Sequence, residues 1–310
     1  MRVVFWGTPE FAAPALRALI GEGFEVVGVV TQPDKPQGRS RDIVLSPVKQ
    51  IAIDEEIPVF QPKNARDAEL FAELTELKPD ISAVVAYGHL LPQEIIDLPR
   101  LGTLNIHASL LPALRGAGPI QAAIRLGHTE TGVTAMRVVP ALDAGPIIMQ
   151  AEAPILEDET YGELQVRLAE LGALTLVEAL TLISLGKAKE KIQDESRATY
   201  APKVDRDSSR IDWTQSALEI SRLIRASDPK PGAFTETAKG DVKMFGPKVM
   251  DGIKGKPGEV LNITGELIIA CGLDALRISE VQPAGKSRMS AHDWAHGRGT
   301  AVGDIYGDGG

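Results

Sequence analysis

Apolar positions in the first half of the chain follow two rhythms. Short, nearly unbroken apolar runs at Val3 to Gly7, Glu25 to Thr31, Ile81 to Ala86 and Thr103 to Ile106 predict buried strands. A shorter run at Val59-Phe60 and another from Val133 to Val139 continue the series. Helical spacing separates them. Pro9 to Ile20 reads as a helix, with Pro9 suited to its first turn and Gly21 to its end. Asp67 to Leu77 carries apolar residues at 70, 71, 74 and 77, and Gly118 to Leu126 is a further helix. Strands alternating with helices predict an α/β fold, a mostly parallel sheet with helices on both faces.

The texture changes after a long amphipathic helix over 160–185, which ends at Gly186. Of the 25 residues from Gly186 to Arg210, 12 are Lys, Arg, Asp or Glu, so a solvated linker is expected over 187–210. It divides a domain over 1–186 from one over 211–310. Thr214 to Ser227 predicts one more helix. Then come short strand-like runs at 241–250, 258–263, 266–270 and 276–281, the pattern of a small C-terminal β-barrel. The last 16 residues hold six glycines and are expected to fray.

Composition narrows the class. The 310 residues hold 42 acidic and 33 basic side chains, a net charge of −9. At roughly 150 residues per domain, this length fits two domains. The longest mostly apolar stretch, 164–185, is broken by Arg167, Glu170 and Glu178, so no membrane span is expected. Met1-Arg2-Val3 enters a strand without a signal-peptide layout. The single cysteine, Cys271, cannot form an internal disulfide, which fits a reducing cytoplasm. An acidic total argues against a nucleic-acid partner, but the charge is uneven. Residues 206–310 balance 14 basic against 14 acidic side chains, so the whole −9 lies in residues 1–205.

The candidate chemistry centres on Leu104-Asn105-Ile106-His107-Ala108-Ser109-Leu110-Leu111-Pro112. On a strand, Leu104 and Ile106 share the core face, while Asn105 and His107 share the other, at the strand's carboxyl end. Ligands of open α/β sheets bind there. An amide donor and an imidazole suit a developing oxyanion, and neither is a strong nucleophile, so direct transfer is expected. The same pair equally suits a structural strand cap. Asp143, 36 residues after His107 in Leu142-Asp143-Ala144-Gly145, could orient the imidazole or simply form an Asx turn. Tyr87-Gly88-His89-Leu90 also follows a strand. His128, His292 and His296 are expected at the surface. No paired metal-ligand spacing is present, and the G-x-G-x-x-G of a dinucleotide site is absent. The loop 31–47 carries Lys35, Arg39 and Arg41, and could be a basic arm or an ordinary solvated loop.

These residues resemble the methionyl-tRNA formyltransferase family over nearly the whole chain. The markers are Gly7-Thr8-Pro9-Glu10-Phe11, Thr31-Gln32-Pro33-Asp34, Ser46-Pro47-Val48-Lys49, Val85-Ala86-Tyr87-Gly88, Asn105-Ile106-His107 and Ser109-Leu110-Leu111-Pro112. Leu142-Asp143-Ala144-Gly145, Thr199-Tyr200-Ala201-Pro202-Lys203, Ile211-Asp212-Trp213 and Gln282-Pro283-Ala284-Gly285-Lys286 complete them. The resemblance implies a Rossmann-like catalytic domain, an OB-type C-terminal domain that binds tRNA, and formyl transfer from 10-formyltetrahydrofolate to the amine of methionyl-initiator-tRNA. It gives Asn105, His107 and Asp143 the catalytic positions. Ser109, Leu110, Leu111 and Pro112, with Tyr87, Gly88 and Leu90, take the folate-binding ones. Lys35, Arg39, Arg41 and Lys203 fall to the tRNA; the loop 31–47, which holds the first three, has little apolar material to pack and is expected to order on binding. No metal is implied, and a cytoplasmic monomer is expected. In the implied mechanism, Asn105 and protonated His107 stabilise the oxyanion, and Asp143 holds His107.

The chain departs from the family at Ser40-Arg41-Asp42-Ile43, where more bases are common. It departs again at Ala113-Leu114-Arg115, where Arg-Trp-Arg is common, and at Lys230, where Trp is frequent. The C-terminal module opposes two rivals in the same chemistry, enzymes acting on a nucleotide sugar or a purine precursor. The intact Asn105, His107 and Asp143 oppose a non-catalytic RNA-binding module.

Overall fold

A computed structural model describes residues 1–34, 36–37 and 42–307, with backbone only at 36–37 and 42–43. The chain forms two compact units. One is built from Met1–Pro119, Glu130–Pro154 and Gln165–Ala201, the other from Ile120–Thr129, Ile155–Leu164 and Pro202–Gly310.

The elements in chain order begin with β1 (Arg2–Gly7), α1 (Ala13–Gly21), β2 (Glu25–Val30), β3 (Pro36–Gln37), β4 (Asp42–Ile43), α2 (Pro47–Asp54), β5 (Val59–Phe60) and α3 (Ala68–Glu76). Then follow β6 (Ile81–Val85), α4 (Gln93–Ile96), β7 (Thr103–His107), α5 (Pro119–Arg125), β8 (Glu130–Arg137), β9 (Ile147–Pro154) and α6 (Tyr161–Ser184). Among the described residues the first unit holds a seven-stranded sheet in the order β5-β2-β1-β6-β7-β8-β9. Strands β5 to β7 run parallel, and β8 and β9 are antiparallel to their neighbours. The chain proceeds outward from β1 to β2 and β5, then restarts on the other side with β6 and β7, so the switch in strand order lies between β1 and β6. The carboxyl ends there are level: Gly7 pairs with Val85, and Val85 with Ile106. Gly7 has no room for a side chain, since a Cβ would lie 2.9 Å from the Val85 carbonyl oxygen.

Helix α2, unforeseen in the sequence, starts where Ser46 Oγ accepts the Lys49 N–H at 3.2 Å with Pro47 in the first turn. It buries Val48, Ile51 and Ala52. Strand β9 was likewise not foreseen. The predicted helix over 9–20 begins instead with a 3₁₀ turn at Glu10–Ala12.

The second unit contains α7 (Ala217–Ser227), β10 (Phe234–Thr237), β11 (Gly240–Met250), β12 (Val260–Asn262), β13 (Leu267–Ala270), β14 (Ala275–Pro283), β15 (Met289–Ser290) and α8 (Ala291–His296). Its strands form an antiparallel curled half-barrel in the order β10-β11-β14-β13-β12, with β15 on β14. Helix α7 opens with a capping box between Ser216 and Glu219. Its apolar face joins Trp213, Met244, Val260, Leu276 and Trp294 in one core.

The expected fraying of the last 16 residues is corrected as far as Gly307, and residues 308–310 lie outside the described residues. Residues 300–307 line the edge of the half-barrel. Val260 N–H donates to the Asp304 carbonyl (2.8 Å), Tyr306 N–H to that of Gly258 (2.9 Å), and Gly307 N–H to that of Glu236 on β10 (3.2 Å). The glycines permit this approach, because a Cβ on Gly258 would sit 2.4 Å from the Tyr306 carbonyl oxygen. His292 also departs from expectation: it is half-buried, its Nδ1 has no partner, and its ring meets that of His296 edge-on at 4.2 Å. His128 and His296 are exposed. Among the described residues no helix is long and apolar enough to cross a membrane.

Candidate active site

The site grows from the end of β7. Leu104 and Ile106 are buried, and Ile106 meets α6 at Gly172, where a Cβ would lie 3.1 Å from its methyl group. The alternation leaves Asn105 and His107 on the opposite face. Asn105 is half-buried and its amide has no partner among the described residues, which leaves its donors free for a ligand.

His107 is 6% exposed, and its two ring nitrogens have different neighbours. Nε2 lies 2.9 Å from the Leu114 carbonyl oxygen. A carbonyl only accepts, so Nε2 carries a proton and Nδ1 is the nitrogen whose protonation can change. Nδ1 faces Asp143 Oδ2 at 3.6 Å, a charge contact longer than a hydrogen bond. The imidazole is therefore oriented by Leu114 rather than held by Asp143. Asp143 Oδ2 is itself fixed by the Gly116 N–H at 2.8 Å. Leu114 and Asp143 both adopt left-handed backbone conformations, with φ of 61° and 50°. Non-glycine residues hold such conformations at a cost of order 1 kcal/mol or more, and they concentrate at functional sites.

The turn after β7 is supported from β8 and β9. Thr134 Oγ1 donates to the Ser109 carbonyl (2.6 Å) and accepts the Leu111 N–H (3.1 Å). Gln150 Nε2 donates to the Leu111 carbonyl (3.0 Å) and to Thr134 Oγ1 (2.9 Å). Ser109 Oγ donates to the Ala113 carbonyl (2.6 Å). Ser109 and Leu111 are buried, so they present backbone rather than side chain, while Leu110 and Pro112 are half-buried.

At the end of β6, Gly88 and Leu90 are exposed. The Tyr87 ring instead enters the core, edge-on to Trp6 at 5.1 Å, and burial pushes its phenol up to about 12. Tyr87 can face a ligand only through its backbone. Its carbonyl accepts from Gln32 Nε2 at 3.2 Å.

Residues 187–201 are mostly exposed, yet their backbone is stitched into the site. Thr199 Oγ1 accepts the Leu114 N–H at 2.9 Å, and Arg115 and Ala201 exchange main-chain bonds with this strip. Arg115, 2% exposed, donates to both oxygens of Glu195 (2.7 and 2.9 Å) and to Gln193. Sequence reasoning missed this network, since a charged stretch reads as solvated linker.

Lys35, Arg39 and Arg41 lie outside the described residues, as does the expectation that their arm orders on binding. The arm's foot is described: Lys49 Nζ pairs with Asp34 and donates to Gln61 Oε1 at 2.6 Å, while Gln61 Nε2 donates to Asp34 Oδ1 at 3.1 Å. Lys203 is exposed and belongs to the second unit.

The family profile for formyl transferase covers residues 1–180, and that for the formyl transferase C-terminal domain covers 203–299. Methionyl-tRNA formyltransferase of Methylococcus capsulatus is 47% identical over 97% of this chain and 98% of its own length. The chain belongs to the methionyl-tRNA formyltransferase family. A second member, from Pseudomonas putida, is 46% identical over 96% of both chains. The fold is similar to that of HypX from Aquifex aeolicus, solved with tetrahydrofolic acid, at a TM-score of 0.66 and 22% identity over 97% of this chain. This formyltransferase chain spans 48% of that longer protein. His107 and Asp143 thus meet at the carboxyl end of β7, two residues beyond Asn105 on the same strand.

Proposed function

We propose that this chain transfers the formyl group of 10-formyltetrahydrofolate to the α-amine of methionine esterified to initiator tRNA. The observation that carries the reading is the grouping of a free amide, a two-sided imidazole and a fixed carboxylate, within a chain matched end to end by relatives of that name.

The neutral amine attacks the formyl carbon to give a tetrahedral intermediate, which collapses as the carbon–N10 bond breaks and tetrahydrofolate leaves. The amine's proton leaves for N10 by way of Asp143. Asn105 Nδ2–H and the Nδ1–H of protonated His107 stabilise the oxygen that becomes negative in the tetrahedral intermediate. Leu114 keeps Nε2 occupied, so the imidazole can act only through Nδ1. The turn 109–112 and the backbone at 87–90 form the folate-facing wall. Arg39 and its neighbours, with Lys203, meet the tRNA phosphates. The protein acts as a cytoplasmic monomer.

Asn105→Ala, His107→Ala and Asp143→Ala should each lower kcat by roughly 100- to 1000-fold, the effect of losing one preorganised group at a developing oxyanion. Near-normal kcat in all three folded variants would sink this assignment.

A further inference from the structure

Gln193 is 6% exposed, next to Ile192, which is 84% exposed. Its carboxamide is fully used. Nε2 donates to the carbonyls of Asp143 and Gly145, both at 2.8 Å. Oε1 accepts two bonds from Arg115, from Nη2 at 2.8 Å and Nε at 3.2 Å. A guanidinium only donates and a carbonyl only accepts, so the amide has a single consistent orientation. Its two N–H groups grip both sides of the left-handed turn at Asp143. On the far side of that turn, Gly145 lies so close to β8 that a Cβ would sit 1.8 Å from the Arg137 carbonyl oxygen. Arg115 is in turn anchored by Glu195.

We propose that Gln193 is a positioning residue for formyl transfer, setting where the Asp143 carboxylate stands relative to His107 Nδ1. Leu114 fixes the ring from the chain just ahead of Arg115, so the two halves of the His107–Asp143 contact are tied to one clamp: Leu114 and Gly116 on either side of Arg115, and the Asp143 loop through Gln193. The inference rests on the formyl-transfer reading, but it is read as a ratio of variant to wild type.

The decisive substitution is Gln193→Glu. It keeps the volume and the Arg115 pairing but turns an oxygen toward two carbonyl oxygens. The Asp143 loop should be pushed away, lowering kcat about 10- to 100-fold, because misplacement near 1 Å costs this much. The KM values for both substrates should change less than about threefold, since the lost interaction acts in the transition state. A double-mutant cycle supplies the readout that a merely structural role would not move. In an Asp143→Asn background, Gln193→Glu should cost less than about twofold more, because its effect runs through the missing carboxylate. If Gln193→Glu fails to fold, Gln193→Ala, which leaves room for water at the two carbonyls, carries the same test. A kcat within twofold of wild type, or the same fold-loss with and without Asp143, overturns the proposal. A wild type inactive on charged initiator tRNA would count against the functional reading instead.

Discussion

His107 has its chemistry assigned by two neighbours. The Leu114 carbonyl takes one nitrogen, and the Asp143 carboxylate faces the other. The alternation of β7 and the match at Asp143 were legible in the sequence. The Leu114 carbonyl was not, because a main-chain oxygen has no residue-type signature and its position depends on the left-handed φ of Leu114. Gln193 was hidden for a different reason: its flanking charges are solvated, and only the folded strip buries it. Asp34 offers a test at this scale. The bond from Lys49, reinforced by Gln61, holds its carboxyl below the usual 3.8. Its stabilising share is therefore present above that value and is lost as pH falls through the lower, folded value. The thermal midpoint of Asp34→Asn should lie below that of wild type at pH 7, and the gap should narrow near pH 3. A gap unchanged across that range would contradict the pairing.

Elements with a strong apolar period were readable, and those defined by pairing were not. The β1, β2, β6 and β7 runs are buried by layers on both faces, so their composition announces them. The antiparallel β9 has only a weak alternation, with several of its residues exposed or half-buried. Helix α2 did carry a signal, Ser46-Pro47 ahead of apolar 48, 51 and 52, which the basic loop before it obscured. In sequence, the glycines of the C-terminal strip read as a mark of disorder. Here glycine admits close backbone approach, and the strip ties β12 to β10. Tyr306 anchors it, 3% exposed, with its hydroxyl donating to Thr300 Oγ1 at 2.6 Å. Tyr306→Ala should lower the unfolding free energy by about 3–5 kcal/mol, the range for emptying a buried aromatic site. Urea denaturation would show this as a fall in midpoint, and a loss below about 1 kcal/mol would mean that the strip contributes little.

At the scale of the whole molecule, a summed charge of −9 is a poor guide to partners. The acidity belongs to residues 1–205, and residues 206–310 are balanced. Cations that meet a polyanion act through their local arrangement, which a sum conceals. The sequence changes texture near 187–210. The first unit extends to Ala201, and its residues 187–201 pair through Thr199 and Ala201 with the loop after β7. Folate-dependent transfer to an amine could serve a small acceptor on the same proposed site, so the acceptor is the central question. The most direct measurement offers the purified protein 10-formyltetrahydrofolate with methionyl-initiator-tRNA, an amino nucleotide sugar and an amine-bearing purine precursor in parallel, and compares kcat/KM. Formyl-methionyl-tRNA is the expected product, with the small acceptors left essentially unmodified. Formylation of a small acceptor with the charged tRNA untouched would contradict it.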